Sequence, residues 1–192
     1  MRLLVISTLL GALSAIGGPI TYNVSNSVGG GSISGTIETD GTIGILGSTN
    51  ILDWNLLLND GTSTFTNTGP LSGNNSQLFF TATTNLTATA TQLLFNFSGP
   101  TGGVMFQNPT IGSSINYWCM QVGGSVCVGG SFVGEGVFVS KTLQTSGFEG
   151  TRVIGTAGAS SVPEPTSVSL IGLGGAVLAA RRVFARRRTV SA

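Results

Sequence analysis

The sequence predicts an all-β fold, a single antiparallel sandwich or jelly-roll-like domain, and three observations carry that expectation. Segments of five to nine residues rich in Thr, Val, Ile and Phe alternate with turn signals through residues 18–160, the pattern of half-buried strands. No long helical period competes with it there. Asp-Gly, Asn-Asp-Gly and Gly-Pro breaks fall between the segments, where glycine supplies the positive φ that tight turns require. Eight or more candidate strands give two sheets, each with one apolar face to cover, so stacking them is the natural solution. The body holds roughly 145 residues, enough for one real core and too few for a second domain.

Ser32 to Thr39 reads as a strand with Ile33 and Ile37 on one face and Gly35 between them, because strand side chains alternate with period two. Asp40-Gly41 separates it from Thr42 to Leu46, which predicts a hairpin. Asn59-Asp60-Gly61 separates Ile51 to Leu58 from Thr62 to Thr68 and predicts another. Gly69-Pro70 and Gly99-Pro100-Thr101-Gly102-Gly103 are further breaks. Thr81 to Thr91 is a threonine-biased run. A flat array of its hydroxyls would suit ice or a polysaccharide, but threonine is also simply a good exposed strand residue, the preferred reading. Leu93, Phe95 and Phe97 share a face. Asn116 to Met120 and Ser125 to Val128 flank Gly123-Gly124 as in a hairpin and carry the only two cysteines, Cys119 and Cys127. In an exported chain these are expected to pair, and two thiols with no histidine are a poor metal set.

Only 8% of the chain is charged, against a typical ~25%, so the surface relies on neutral hydroxyls and amides. The formal net charge of +1 hides an asymmetry. Between residues 18 and 162, Glu38, Asp40, Asp53, Asp60, Glu135 and Glu149 oppose Lys141 and Arg152: six acids, two bases, net −4. That body should not capture nucleic acid, which needs clustered Lys and Arg. Histidine is absent, which removes the commonest general base and transition-metal ligand. No cofactor, metal or catalytic residue is expected; Asp53 with Glu135 is the one acid pair that sequence leaves open. Asn23, Asn74, Asn85 and Asn96 match the glycosylation sequon, as chance would provide in so Ser-, Thr- and Asn-rich a chain.

Both ends read as addresses. Met1-Arg2 precedes fourteen uncharged, mostly apolar residues, Leu3 to Ile16, too short for an ordinary spanning helix of ~20 residues and right for a signal peptide over residues 1–17. Ala15-Ile16-Gly17 and Ala12-Leu13-Ser14 offer small residues for cleavage. At the other end Val162-Pro163-Glu164-Pro165 leads into fifteen uncharged residues, Thr166 to Ala180, and then Arg181, Arg182, Arg186, Arg187 and Arg188. Prolines block backward extension of a helix. An apolar helix over residues 166–185 can span a membrane if arginine stems snorkel and the bilayer thins, and the cationic cluster anchors its end in the cytoplasm. Gly172, Gly175, Ala176 and Ala179 fall at helical spacing and would allow close helix contact, although short sorting helices also simply tolerate glycine.

In this order of parts, residues 161–188 resemble the PEP-CTERM sorting tail, with residues 189–192 trailing. The resemblance implies that Pro163, Glu164 and Pro165 are recognised by an exosortase, a membrane enzyme that cuts near this motif and releases or transfers the body to the exterior. The chain would then be substrate rather than catalyst, exported from a bacterial cell and held in the inner membrane until processed. Gly35 to Gly41 with Asp53-Trp54-Asn55-Leu56 is similar to bodies found beside such tails and implies no activity. The expected function is a noncatalytic envelope or extracellular-matrix protein associated with exopolysaccharide. The alternative is a lectin-like module in which Trp54, Tyr117 or Trp118 stacks on sugar rings, although core packing is the commoner use of each.

Overall fold

The computed structural model describes residues 18–81, 84–124, 126–127 and 130–158. The expected signal peptide (1–17), Pro163, Glu164, Pro165, the apolar helix 166–185 and the five terminal arginines lie outside those residues. No helix among the described residues is long and apolar enough to cross a membrane.

Among the described residues thirteen strands follow one another: β1 Ile20–Val28, β2 Gly31–Thr39, β3 Gly44–Ile45, β4 Ile51–Asn59, β5 Thr64–Thr68, β6 Gln77–Phe80, β7 Leu86–Ala88, β8 Gln92–Asn96, β9 Gly102–Gln107, β10 Tyr117–Val122, β11 Gly134–Val139, β12 Thr142–Gly147 and β13 Thr151–Ala157. They form two antiparallel sheets, an eight-stranded one in the order β3-β7-β8-β13-β1-β2-β4-β5 and a five-stranded one in the order β12-β11-β10-β9-β6. The all-β expectation holds, and the paired sheets fit a sandwich.

Alternation builds the larger sheet. In β1, Ile20, Tyr22, Val24 and Val28 are buried while Asn23, Ser25 and Ser27 face solvent. The chain reverses at Gly29-Gly30, with Gly29 at φ 56°, and β2 returns in full register from Ile20 opposite Thr39 to Val28 opposite Gly31. Ile33 and Ile37 lie buried on one face, as the spacing predicts. Leu93, Phe95 and Phe97 likewise enter the core together. β13, the last strand among the described residues, is inserted between β8 and β1, with Tyr22 opposite Ala157.

Between the sheets an aromatic series bridges the layers: Trp54 of β4 meets Phe106 of β9 edge-on at 5.3 Å, and Phe106 stacks on Trp118 of β10 at 5.6 Å. The five-stranded sheet also buries its other face. Met105, Tyr117 and Cys119 pack there with Val126 and Cys127, flanked by Ile111, Phe132, Phe138 and Leu143. Segments joining β9 to β10 and β10 to β11 thus cover a surface that a two-layer fold would leave wet.

Three local expectations need correction. Asn59-Asp60-Gly61 does join the paired strands β4 and β5, but Asp40-Gly41 does not make a hairpin. β2 pairs with β4, and β3 pairs with β7 at the opposite edge of the sheet. Asp40 instead receives the Thr42 amide at 2.9 Å and the Asn50 side-chain amide at 2.9 Å, which closes residues 40–50 as an excursion. Cys127 does not sit on a strand hairpinned to β10, whose partners are β9 and β11. Its amide donates to the Gln121 side chain at 2.7 Å, so a side chain replaces the ladder. Within Thr81 to Thr91 the described strand is Leu86–Ala88 alone. Thr89 accepts the Gln92 amide at 2.8 Å through its hydroxyl, so a turn interrupts the threonine series.

Candidate functional site

The carboxylates of the body are mostly committed to structure. Asp53 accepts the Leu71 amide at 3.0 Å and the Ser72 amide at 3.3 Å, and its second oxygen accepts the Ser72 hydroxyl. Asp60 is buried. Desolvation opposes its ionisation, but the amides of Thr62, Ser63 and Thr142 and the Thr62 hydroxyl outweigh it and hold its pKa at about 2. Asp40 is also lowered, first by the Asn50 side chain and then by the Thr42 amide. Such turn carboxylates accept the local N–H groups that would otherwise lack partners. No group of three or more metal-ligating side chains occurs among the described residues.

Glu135 is different. It lies on β11 with no exposed surface, on the face that carries Val137 and Val139 into the main core. Arg152 approaches from β13 with Nε 3.7 Å from Oε1, and the Trp118 indole N–H donates to Oε2 at 3.3 Å. The Arg152 guanidinium in turn lies 3.8 Å over the Phe148 ring, a cation–π contact. An open groove of about 600 Å³ lies beside Phe148, lined also by Phe97, Ser98, Val133, Gly147 and Glu149. Asp53 and Glu135 therefore answer to different partners and do not form the acid pair that sequence left open.

Burial pushes the Glu135 carboxyl up from 4.5 to about 6, with Arg152 and Trp118 opposing the rise. Between those values the folded state keeps a proton that the unfolded chain has lost, so stability falls as pH rises through this window and then levels off. The loss is about 2 kcal/mol. Glu135→Gln should remove it. In urea denaturation the variant should gain about 2 kcal/mol over wild type at pH 7 and close to nothing at pH 4; an equal difference at both would show that Glu135 carries no such cost. The Asp60 window lies lower, since a depressed carboxylate loses its contribution as pH falls from about 4 to about 2.

Cys119 and Cys127 form the expected disulfide, with Cα atoms 5.6 Å apart. The three aromatics considered for sugar stacking are placed in cores: Trp54 donates its N–H to Ser76 at 2.8 Å, Trp118 serves Glu135, and Tyr117 stacks on Phe138 at 5.7 Å. None presents a face to a glycan.

Sequence reasoning missed a coherent polar surface. The register of β1, β2, β4 and β5 aligns outward side chains in rows across the sheet: Ser27, Ser32, Asn59, Thr64; Ser25, Ser34, Leu57, Thr66; and Asn23, Thr36, Asn55, Thr68. Thr156 of β13 and Gln92 of β8 extend the last row beyond Asn23. Each strand signals its share through alternate Ser, Thr and Asn, but only the register makes rows of them. No known family model, characterised protein or solved structure matches the chain.

Proposed function

We propose that the chain is a noncatalytic exported protein of the cell envelope or extracellular matrix, sorted through its C-terminal tail and associated with exopolysaccharide. The observation that carries this is the succession of Pro163-Glu164-Pro165, an apolar stretch and an arginine cluster, opposite an N-terminal segment of signal-peptide length. In this reading Pro163, Glu164 and Pro165 are read by an exosortase-type enzyme, and the five arginines hold the uncut chain in the inner membrane. The Cys119–Cys127 disulfide supports an oxidising destination. The engagement of Asp40, Asp53 and Asp60 in turns supports a noncatalytic body, because none is left paired with a base.

Fractionation of the native host with intact-mass analysis tests the proposal. The protein should be recovered from membrane or extracellular fractions, shortened at both ends. Recovery from the cytosol at its full encoded mass would overturn it.

A further inference from the structure

We propose that the outer face of the eight-stranded sheet binds a neutral, extended polysaccharide across β1, β2, β4 and β5. The inference deepens the preceding one, since it supplies the surface by which an exported protein would hold a polysaccharide.

Of the twelve positions in the three rows, eleven are Ser, Thr or Asn and the twelfth is Leu57, 44% exposed. Neighbours within a row are spaced by the strand separation of about 4.8 Å, and rows by about 7 Å, two residues along a strand. An extended chain of pyranose rings repeats on a similar scale, so successive rings laid along a row meet successive strands. The row from Gln92 through Asn23 to Thr68 crosses six strands, about 24 Å at that spacing and room for several rings.

The chemistry selects the ligand. Hydroxyls both donate and accept, and carboxamides offer both functions side by side, so such rows pair with sugar hydroxyls in more than one register. Among the described residues Ser25, Ser34, Thr36, Asn55 and Thr66 make no side-chain hydrogen bond, which leaves these groups to solvent or a ligand. No charged residue stands in the twelve positions. A neutral glycan therefore strips water from no ion that it cannot compensate, whereas an acidic polymer finds no cation and nucleic acid no basic patch. A protein partner would look for aromatic or arginine anchors, and these rows hold neither. Leu57, amid the amides, offers its methyl groups to the C–H face of a ring.

The test is retention of the purified full chain, in mild detergent, on microcrystalline cellulose and a neutral mixed-linkage β-glucan, with polygalacturonate as the acidic comparison. Retention is expected on at least one neutral polymer. Ser34→Asp with Asn55→Asp should weaken it at least tenfold, and Ser131→Asp, a single charge placed off the face and equal to that of Thr66→Asp, should leave it within twofold. Thr66→Asp on the edge strand β5 serves as the second variant if the double substitution melts early. Silence on both neutral polymers, retention indifferent to both face variants, or stronger retention on polygalacturonate would each overturn the proposal. These readings use purified protein and do not depend on where the cell sends it, so fractionation can fail or succeed on its own.

Discussion

Trp118→Ala should destabilise the body by about 3–5 kcal/mol in urea denaturation, the range for deleting a buried aromatic. Trp118 has no exposed surface. Its ring, on the five-stranded sheet, ends the series that runs through Phe106 to Trp54, so truncation opens a void where the two layers are joined. It also removes the indole N–H from Glu135, leaving a buried carboxylate with Arg152 at 3.7 Å as its ionic partner. Trp118→Phe separates the two effects. It keeps most of the apolar volume and loses the donor, so its cost should be about 1–3 kcal/mol, the penalty of an unsatisfied buried acceptor. Against a total of about 5–15 kcal/mol for a typical domain, the alanine variant approaches unfolding. A loss below about 1 kcal/mol would mean that the sheets are held together elsewhere.

Reduction of the disulfide should have the second largest effect, about 2.5 kcal/mol from the chain entropy restored to so short a loop. The local consequence is more specific. Cys127 and Val126 close the cover over Met105, Tyr117 and Cys119, and the same segment is tied down by Gln121, which donates to the Gly130 carbonyl at 2.9 Å and accepts the Cys127 amide. Hydrogen exchange should therefore accelerate between residues 123 and 133 on reduction, while the β9–β10 ladder keeps its protection. Protection lost evenly across both would show that the cover and the sheet open as one unit, and no change at all would assign the hold to Gln121 alone.

Several of these features were legible in the sequence because they are local. Period-two spacing places Ile33, Ile37, Leu93, Phe95 and Phe97 in the core, and Asn59-Asp60-Gly61 makes its hairpin because the strands on either side of it are each other's partners. Asp40-Gly41 carries a similar turn signal and fails as a hairpin. A turn fixes the reversal, not the neighbour, and here Asn50 captures Asp40 while β2 finds a longer apolar match in β4. Cysteine pairing was readable from the count of two and from the expectation of export, whereas the loop conformation at Cys127 depends on Gln121, which has no sequence signature. Glu135, between two glycines on a strand, shows nothing of its surroundings in sequence: the adjacent strand β10 supplies Trp118 and the opposite sheet supplies Arg152. The hydroxyl rows were invisible for the same reason: they exist only across four strands in register.

One placement in the larger sheet bears on how the chain is made. β13 ends the body yet occupies an interior position beside β1, the first strand. A polypeptide emerging from the ribosome, amino end first, cannot complete that sheet until residue 157 is available, because the slot between β8 and β1 stays unfilled until then. Long-range pairing of this kind delays closure of the native state. The larger sheet thus locks only after β13 has been made, late in synthesis, whatever pairs have formed before it.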